Sequence, residues 1–392
     1  MRTRPVRIYN HFPLEFGGGG EASLSLLATK LSEAGFNVEY VTDSDYRGIT
    51  RLTSQQTAEL SNRFRYVRER FQDYARPGMK FLFRRLPNAS ELSRDAIHLL
   101  VIDRVPPASF LAQARARGVR LGILMHGLSP CDSPVGQHVA AAYQFYVRRA
   151  LRKLISSGLL NWCSVQVFNR ATLEFLVKSG MPEQNIFEIP TGVRISRYGP
   201  PTSDGMFNVL FMGRLDRLTK GIDTLSEVIQ RFVERHSGDK IRFRIVGSGR
   251  DRRCLDKVRG LRSVTIDGFI PEEEKIATLA ASQVLVITSR TEPFSMVAIE
   301  ALASGAFVIS TPVAGPTGII SRDPSFGAIS GPDAGSLVNI LDSTFETWRR
   351  DRQAFDRMRL KRAAIAAEHF NIEVMVQGYS AMIEQLGVGL TV

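Results

Sequence analysis

Short apolar, β-branched runs alternate along this chain with longer stretches in which apolar residues recur at helical spacing. In the first half, the short runs predict strands at 6–10, 38–42, 99–102, 121–125, 164–168 and 186–189. A helix is predicted between the first two strands, over about 22–34. Strands and helices that alternate in this way are typical of parallel α/β sheets.

The same alternation starts again after a turn-rich stretch, 198–205, which holds two prolines and two glycines. The second set of short runs predicts strands at 208–212, 241–246, 264–266, 284–288 and 307–310. Helical spacing follows at 222–236, 250–259, 273–280 and 296–304, and from 333 it continues nearly to the end. We therefore predict two doubly wound, Rossmann-like α/β domains, 1–199 and 200–370, that face a central cleft. A terminal helix over 371–392 is predicted to cross back to the first domain.

The length of 392 residues and the 44% hydrophobic content agree with two cores of ordinary size. Apolar runs such as 284–288 are far shorter than the ~20 residues that span a bilayer, and residues 1–25 lack the apolar region of a signal peptide. We expect a cytoplasmic protein, with a peripheral position at the inner face of the plasma membrane as the alternative. The three cysteines form no Cys-x-x-Cys pair, so neither a disulfide framework nor a metal site is indicated.

The formal net charge of +12 is concentrated in the segment 63–85, where eight basic residues stand against Glu69 and Asp73. Aromatic residues are interleaved with the basic ones, an arrangement that suits an anionic membrane surface or a polyanionic acceptor. A solvated basic helix with its aromatic side facing the core is the alternative. The candidates for acceptor or membrane contact are Arg63, Arg65, Arg68, Arg70, Lys80 and Arg84. The chain has no helix-turn-helix, zinc-finger or RNP-type signature, so we expect no nucleic-acid partner.

The strongest chemical signal follows the predicted strand 284–288, where a turn leads into the predicted helix 296–304. The first backbone N–H groups of a helix have no partner within it, and the helix dipole favours negative charge there. This turn is therefore a candidate anion site. Glu292 stands at the turn and Glu300 lies eight residues further on, and both carboxylates are suited to accept hydrogen bonds from sugar or ribose hydroxyls.

The spacing Glu292-x7-Glu300, followed by Ala-Leu-Ala-Ser-Gly, closely resembles the E-x7-E signature of the retaining glycosyltransferases of family 4, which have the GT-B fold. The resemblance implies that Glu292 lies at the donor sugar, that Glu300 binds the nucleotide ribose, and that backbone amides between them hold the diphosphate. Those amides belong to Phe294, Ser295, Met296 and Val297. The family usually has Gly-Phe-Gly after the first Glu, whereas this chain has Pro-Phe-Ser.

A second match is the loop from Gly213 to Gly221, directly after the predicted strand 208–212. It resembles the family's Gly-Arg-Leu…Lys-Gly element and is one residue longer than the commonest form. By this resemblance, Arg214 and Lys220 stabilise the charge that develops on the leaving nucleoside diphosphate, and no metal is required. Arg217 is the alternative for one of these two positions.

Weaker matches complete the pattern in the second half. Gly247 lies in a glycine turn after the predicted strand 241–246, where the backbone can approach the nucleotide. Phe269 occupies the family's Gly-Phe position near the base. These elements follow one another in the family's order, and the resemblance rests on that order rather than on any one of them.

In the first half, Gly18 and Gly19 belong to a glycine loop before a predicted helix, and the resemblance makes this loop face the sugar and the diphosphate. The loop also fits the dinucleotide-binding fingerprint loosely, with Asp43 at a suitable distance, but residues 11–16 separate the strand from the first glycine. His126 follows the predicted strand 121–125 at the carboxyl edge of the sheet. The family has a histidine there that bonds to hydroxyls of the donor sugar.

These features predict a retaining hexosyltransferase that uses a nucleotide-diphosphate sugar, with UDP as the expected nucleotide. The nucleotide sugar is a co-substrate, and no cofactor is expected. The stretch 99–104 and the strand ending at His126 resemble the branch of the family that glycosylates wall polymers. The expected acceptor is therefore a hydroxyl of a cell-envelope glycan, of a lipid-linked glycan or of an anionic polymer. An NAD-type Rossmann oxidoreductase and a catalytically inactive, basic GT-B binding protein are the alternatives.

Overall fold

The computed structural model describes residues 4–16, 19–48, 50, 52–74, 85–128, 138–198 and 201–388. The chain divides into two compact units. The first comprises Met1–Pro130, Ala142–Gly192 and Glu373–Val392, and the second comprises Cys131–Ala141 and Val193–Ile372. Each unit contains one parallel sheet with flanking helices, so the predicted α/β fold of two Rossmann-like domains is confirmed.

Strands and helices alternate through most of both units. The strands, in chain order, are β1 Pro5–Asn10, β2 Asn37–Asp43, β3 Arg65–Glu69, β4 Ile97–Val101, β5 Arg120–Leu124, β6 Ser164–Val167, β7 Ile186–Glu188, β8 Phe207–Met212, β9 Ile241–Val246, β10 Val264–Asp267, β11 Val284–Ile287, β12 Phe307–Ser310 and β13 Gly327–Ile329. The helices are α1 Gly19–Glu33, α2 Ser54–Leu60, α3 Ala108–Ala116, α4 His138–Ser156, α5 Arg170–Lys178, α6 Arg217–Lys220, α7 Ile222–Arg235, α8 Glu272–Ala281, α9 Met296–Ala303, α10 Ala314–Ile320, α11 Ala334–Arg350, α12 Arg352–Phe370 and α13 Ile372–Val388.

The sheet of the first unit has the strand order β3-β2-β1-β4-β5-β6-β7, and neighbouring strands are parallel. Most of the apolar runs predicted from sequence form the inner strands, which are largely buried on both faces as parallel strands usually are, while the run at 186–189 forms the edge strand β7. Val6 and Ile8 of β1 and Leu99 of β4 are fully buried. The order reverses between β1 and β4, and doubly wound sheets bind their ligands at the carboxyl end of such a point.

The sheet of the second unit has the order β10-β9-β8-β11-β12-β13 and is also parallel. Its order reverses between β8 and β11. Aromatic side chains fill the core on one side, where the ring of Phe207 lies 5.1 Å from that of Phe345 and 5.3 Å from that of Trp348. The loops that carry the predicted donor-site residues leave the carboxyl ends of β8, β9, β10 and β11.

Strand β3 lies within the basic segment 63–85, where no strand was predicted. Its residues pair with β2 over five positions, so the interpretation of the segment as a solvated helix is wrong at Arg65–Glu69. The physical reason is packing on both faces of the strand. The ring of Tyr66 lies 6.0 Å from that of Tyr40, while Val67, which points the other way, packs against the core of the unit. Charged residues at both ends of an edge strand discourage pairing with other chains.

Two arginines of α12 are buried and attach this helix to the second unit. Arg359 and Arg362 are 0% and 1% exposed. Arg359 donates to three backbone carbonyl oxygens, those of Thr202, Ala280 and Ser282, at 2.9, 2.7 and 2.8 Å. Arg362 donates in the same way to the carbonyls of residues 305 and 325. Burial lowers the pKa of both guanidinium groups, but only to about 10, so both remain charged while they donate to these backbone carbonyls.

Helix α13 packs on the first unit, so the predicted terminal helix that crosses back to this domain is confirmed. Tyr379 is 1% exposed, and its hydroxyl lies 3.2 Å from Nε2 of His126. The amide of Gly192 donates to the sulfur of Met375 at 3.3 Å. The sequence predicted the helix from its apolar spacing, while these contacts show which strand ends it covers.

Candidate active site

The loops after β8, β9 and β10 are packed backbone against backbone. Gly247 has a φ of 142°, and a Cβ built on it would lie 1.9 Å from the carbonyl oxygen of Gly213. The Gly247 amide donates to the carbonyl of Gly268 at 3.0 Å. Gly247, which the sequence singled out, therefore joins three loops at one edge of the sheet, and a side chain at this position would separate them.

The loop after β8 holds Lys220 at a defined position. Asp216 caps the short helix α6 by accepting a hydrogen bond from the Thr219 amide at 2.8 Å. Gly221 then turns the chain with a φ of 63°, and a Cβ there would lie 2.1 Å from the carbonyl oxygen of Thr288. The Thr288 hydroxyl donates to the Lys220 carbonyl at 2.8 Å. Lys220 is thereby fixed beside the end of β11, the strand that precedes Glu292.

Lys220 and Glu292 form an ion pair, in which Nζ of the lysine donates to Oε2 of the glutamate. Their side chains are 23% and 13% exposed. The Ser289 hydroxyl lies 3.4 Å from the same Oε2. The structure thus brings together two residues that are 72 positions apart and that the sequence assigned separately to the leaving group and to the sugar.

Arg214 and Arg217 differ in their surroundings. The side chain of Arg214 is exposed and forms no hydrogen bond or ion pair within the part of the chain that the structure describes. Arg217 directs its Nε to Asp223 at 3.2 Å. Asp223 is also held by Arg290, whose guanidinium donates to both carboxylate oxygens at 2.8 and 2.9 Å. Arg214 is therefore the available cation of the loop, and Arg217 belongs to the support of α6 and α7.

Sequence reasoning missed Arg290, which anchors the end of β11 to the loop after β8. Its side chain is 13% exposed, and its amide donates to the carbonyl of Thr219 at 2.8 Å. An arginine two residues after a predicted strand is not in itself a signal, because its partner Asp223 lies 67 positions away.

Ser295 precedes helix α9 in a backbone conformation that favours glycine. Its φ is 152°, and no other non-glycine residue in the described part of the chain has a positive φ. It is 4% exposed, and its buried hydroxyl has no hydrogen-bond partner there. The amide of Gly315 donates to the Glu292 carbonyl at 2.8 Å and so ties the turn to α10. A serine thus occupies the position where the family usually has glycine, at a cost of about 1–3 kcal/mol for such a conformation.

Helix α9 begins at Met296, and no side chain caps it. Met296 and Val297 supply its first two amides, and Phe294, in the turn before it, is 7% exposed. Amides at a helix start have no partner within the helix, and the helix dipole adds a partial positive charge there. The start of α9 therefore offers unpaired amides of the kind that an anion site needs, and Lys220 and Glu292 are paired beside the preceding turn.

Glu300 lies on the second turn of α9, where it is 8% exposed. It accepts a hydrogen bond from Nζ of Lys275 on α8 at 2.7 Å and also bonds to the Tyr198 hydroxyl. Burial raises the pKa of Glu300, and the Lys275 ammonium acts in the opposite direction. The pKa of Lys275 is raised, because Glu300 and Glu272 outweigh the effect of its own burial. Lys275 was not singled out from the sequence, where it stands as one charge in an ordinary charged helix start.

The other residues predicted for the site from sequence are Phe269, Gly18, Gly19 and His126. Phe269, in the loop after β10, is 82% exposed. In the first unit, Gly19 opens α1 and is exposed, while Gly18 lies outside the described residues. Nε2 of His126 lies 3.2 Å from the Tyr379 hydroxyl, its ring lies 4.8 Å from that of Phe168, and burial lowers its pKa to about 3. The imidazole is therefore neutral at physiological pH.

The basic residues of 63–85 that the structure describes are largely paired with carboxylates. Arg65 pairs with Glu39 at 2.7 Å, Arg68 with Glu15, and Arg70 with Asp45 at 3.2 Å. Arg63 is exposed, and Lys80 and Arg84 lie outside the described residues. The local positive charge counted along the sequence is thus partly balanced by acidic residues that the fold brings from 15–45.

Across the described ranges, no three His, Cys, Asp or Glu side chains are grouped so that they could hold a metal ion.

Two Rossmann-like units in one chain, each built on one parallel doubly wound sheet, give the chain the GT-B fold. Residues 207–342 match the family model described as glycosyl transferases group 1. This segment lies in the second unit and includes Lys220, Glu292 and Glu300. The resemblance to the GT-B glycosyltransferases is therefore confirmed over this segment.

Similar proteins support the same assignment. An uncharacterized glycosyltransferase of Methanocaldococcus jannaschii is 34% identical over 144 residues, which are 36% of this chain and 36% of that protein. Sucrose-phosphate synthase of Thermosynechococcus elongatus has the same fold, with a TM-score of 0.70 at 20% identity over 98% of this chain and 99% of that one. Anabaena HepE, in complex with UDP and glucose, gives a TM-score of 0.67 at 17% identity over 97% and 99%. The chain spans between a third and about half of the length of the curated relatives it matches. None of these comparisons favours the NAD-type oxidoreductase.

Proposed function

We propose that the protein is a retaining hexosyltransferase whose donor is a nucleotide-diphosphate sugar, with UDP as the nucleotide. The observation that carries this proposal is the Lys220–Glu292 ion pair beside the uncapped start of α9. It combines a fixed cation, a carboxylate and the amides of a first helical turn. A sugar diphosphate presents anionic phosphates and neutral hydroxyls, and this combination is suited to bind both. Anabaena HepE, which has the same fold and binds UDP and glucose, supports UDP as the nucleotide.

In this proposal the two cations act on the leaving group. When the bond between the anomeric carbon and the phosphate oxygen breaks, its two electrons stay on the diphosphate. Fixed positive charges stabilise the negative charge that develops there. The Lys220 ammonium has three donors, so it can remain bonded to Glu292 while it donates to a phosphate oxygen. Arg214 adds a second charge from a side chain that has no other partner among the described residues.

The two glutamates take different parts of the donor. Glu292 accepts hydrogen bonds from sugar hydroxyls and stabilises positive character on the sugar. Glu300 accepts hydrogen bonds from the ribose, for which its carboxylate must be ionised and correctly oriented. Lys275, which donates to Glu300 at 2.7 Å, favours the ionised carboxylate and holds it in one orientation. His126 stays a predicted contact of the donor sugar, as a neutral imidazole that donates or accepts a hydrogen bond.

Retention of configuration is proposed to follow from front-side attack. The acceptor oxygen bonds to the anomeric carbon on the face from which the diphosphate leaves, and the leaving phosphate oxygen takes the acceptor's proton. No side chain has to act as a nucleophile. The acceptor is proposed to be a hydroxyl of a cell-envelope glycan, of a lipid-linked glycan or of an anionic polymer.

The test is nucleotide release from a panel of UDP-, GDP- and ADP-sugars, with and without acceptors of these three kinds. We expect release from a UDP-sugar, and a product whose anomeric configuration matches that of the donor. Lys220→Ala should lower the rate by about 100-fold or more, as loss of one fixed donor usually does. Arg217→Ala is the matched control in the same loop, and it should change the rate far less.

Three outcomes would revise the proposal. Binding of a nucleotide sugar without any turnover would indicate an inactive GT-B binding protein. Equal losses in the Lys220 and Arg217 variants would show that the loop matters only as a folded unit. If Glu292→Gln transferred sugar at the wild-type rate, Glu292 would not act on the donor sugar.

A further inference from the structure

Helix α4 presents a basic face that the proposed transferase site does not use. Positions 145, 149, 152, 153 and 156 fall on one side of the helix and are exposed. They are occupied by Phe145, Arg149, Arg152, Lys153 and Ser156. The opposite side packs into the core of the first unit through Val147, Leu151, Leu154 and Ile155. The helix contains neither Asp nor Glu.

The cations of this face have no carboxylate partners. Within the described part of the chain, Arg149, Arg152 and Lys153 form no ion pair, although Arg152 lies over the ring of Phe175 at 5.4 Å. The arginines of β3 provide the contrast, because Arg65 and Arg68 are each paired with a glutamate. Among the described residues, α4 therefore groups several unpaired cations on one face, whereas most of the described cations of the segment 63–85 are paired.

The face continues beyond the end of α4. Arg115, at the end of α3, donates to the Gly158 carbonyl at 3.3 Å, just past the last turn of α4. Arg94 donates to the carbonyl of Arg117, and Arg120 donates to the carbonyl of Arg94 at 2.5 Å. None of these four side chains forms an ion pair with a described residue. We use the name basic surface for Arg94, Arg115, Arg117, Arg120, Arg149, Arg152 and Lys153.

One large apolar side chain stands among these charges. Phe145 is 69% exposed, one helical turn before Arg149. A soluble polyanion is attracted by cations alone, whereas an interface between water and lipid also rewards the burial of an exposed aromatic ring. The outer face of a helix is convex, so it meets a flat surface more readily than it encloses a chain.

We propose that the basic surface docks the protein on an anionic lipid bilayer, with Phe145 entering the headgroup region and the cations contacting lipid phosphates. No helix in the described part of the chain is long and apolar enough to cross a membrane. The proposal concerns the first unit alone and does not depend on the transferase activity.

The test uses the full chain and co-sedimentation with vesicles of phosphatidylcholine, with or without 30% phosphatidylglycerol. We expect binding only to the anionic vesicles, and weaker binding at high salt, because salt screens exposed charges. The variant Arg149→Gln/Arg152→Gln/Lys153→Gln should bind roughly 100-fold more weakly, since each cation near an anionic surface contributes about fivefold. The matched control, Arg253→Gln/Lys257→Gln/Arg259→Gln, removes the same charge from exposed positions of the second unit and should bind as the wild type does.

Two further measurements separate docking from general charge attraction and from misfolding. In Phe145→Trp, the added indole should shift its emission to shorter wavelength when anionic vesicles are present. The α4 variant should keep the wild-type thermal unfolding midpoint.

Three results would overturn the proposal. The first is absence of wild-type binding to anionic vesicles, including the case in which a soluble polyphosphate binds instead. The second is an equal loss of binding in the α4 variant and the control. The third is an indole at position 145 whose emission does not respond to vesicles.

Discussion

Replacement of Ser295 by glycine is expected to stabilise the second unit, although the residue lies in the candidate active site. Ser295 has a φ of 152°, in a region that side chains other than hydrogen rarely allow. Its hydroxyl is buried and has no hydrogen-bond partner among the described residues. Both features cost free energy in the folded state, and glycine removes both of them.

The expected gain follows from three terms. Release of the backbone strain contributes about 1–3 kcal/mol. Removal of a buried, unpartnered hydroxyl contributes about 1–3 kcal/mol. The greater conformational freedom of glycine in the unfolded chain opposes these by roughly 0.5–1 kcal/mol. Ser295→Gly should therefore raise the free energy of unfolding by about 1–5 kcal/mol. Ser295→Ala, which removes only the hydroxyl, should raise it by about 1–3 kcal/mol.

The measurement is urea unfolding followed by tryptophan fluorescence. The chain has two tryptophans, and Trp348 is buried in the core of the second unit. In a Trp162→Phe background, the remaining signal reports on the second unit alone. For a unit of this size, each kcal/mol of added unfolding free energy should raise the midpoint of thermal unfolding by about 2–4 °C.

The two substitutions test separate parts of the reasoning. The expected order of stability is glycine above alanine above serine. If the glycine variant were no more stable than the alanine variant, the positive φ would carry no strain. If the alanine variant were less stable than the wild type, the hydroxyl would have a partner in solution.

Three further predictions concern buried charges. Lys275→Met should raise the pKa of Glu300 beyond the rise caused by burial, so on acidification the affinity for UDP should begin to fall at a higher pH than in the wild type. Lys275→Arg should keep the wild-type profile. Arg359→Met should lower the free energy of unfolding by about 3–5 kcal/mol, because two buried carbonyls and one partly buried carbonyl lose a charged donor. The exposed Arg357→Met should change it by less than about 0.5 kcal/mol. Burial lowers the pKa of His98 to about 4, so protonation of this histidine favours the unfolded chain. The free energy of unfolding should therefore fall by about 1.4 kcal/mol for each pH unit between about pH 6.5 and pH 4. His98→Gln should remove this slope.

Each of these has an outcome that contradicts it. Parallel pH profiles of UDP binding in the wild type and the Lys275→Met variant would show that Lys275 does not control the ionisation of Glu300. Equal stability of the Arg359 and Arg357 variants would mean that the buried hydrogen bonds add nothing. An unchanged pH slope in the His98 variant would assign the acid sensitivity to another group.

Local patterns in the sequence determined the fold class. The apolar runs at 6–10, 121–125 and 284–288 correspond to central strands, because a strand buried on both faces needs apolar residues at nearly every position. Strand β3 was missed for the opposite reason. It lies at the edge of its sheet, and its charged residues find partners such as Glu39 and Glu15, which are distant in sequence.

The residues of the candidate site also fall into those that the sequence predicted and those that only the structure revealed. Glu292, Glu300, Arg214 and Lys220 could be named in advance, because the spacing of residues within one strand, turn and helix is a local property. The partners that set their chemistry could not. Lys275 reaches Glu300 across 25 positions and Arg290 reaches Asp223 across 67, and only the packing of α8, α9 and the loop after β8 makes these contacts.

The sequence by itself determined that a turn, a helix start and two glutamates follow one strand, and that serine replaces glycine in that turn. Only the tertiary structure decided that Lys220 pairs with Glu292, that the Ser295 hydroxyl is buried without a partner, and that two arginines of a basic helix lie in the interior. Hydrogen-bond partners and burial depend on contacts between residues far apart in the chain. Those contacts are set by the folding of each sheet and are not written in any short stretch of sequence.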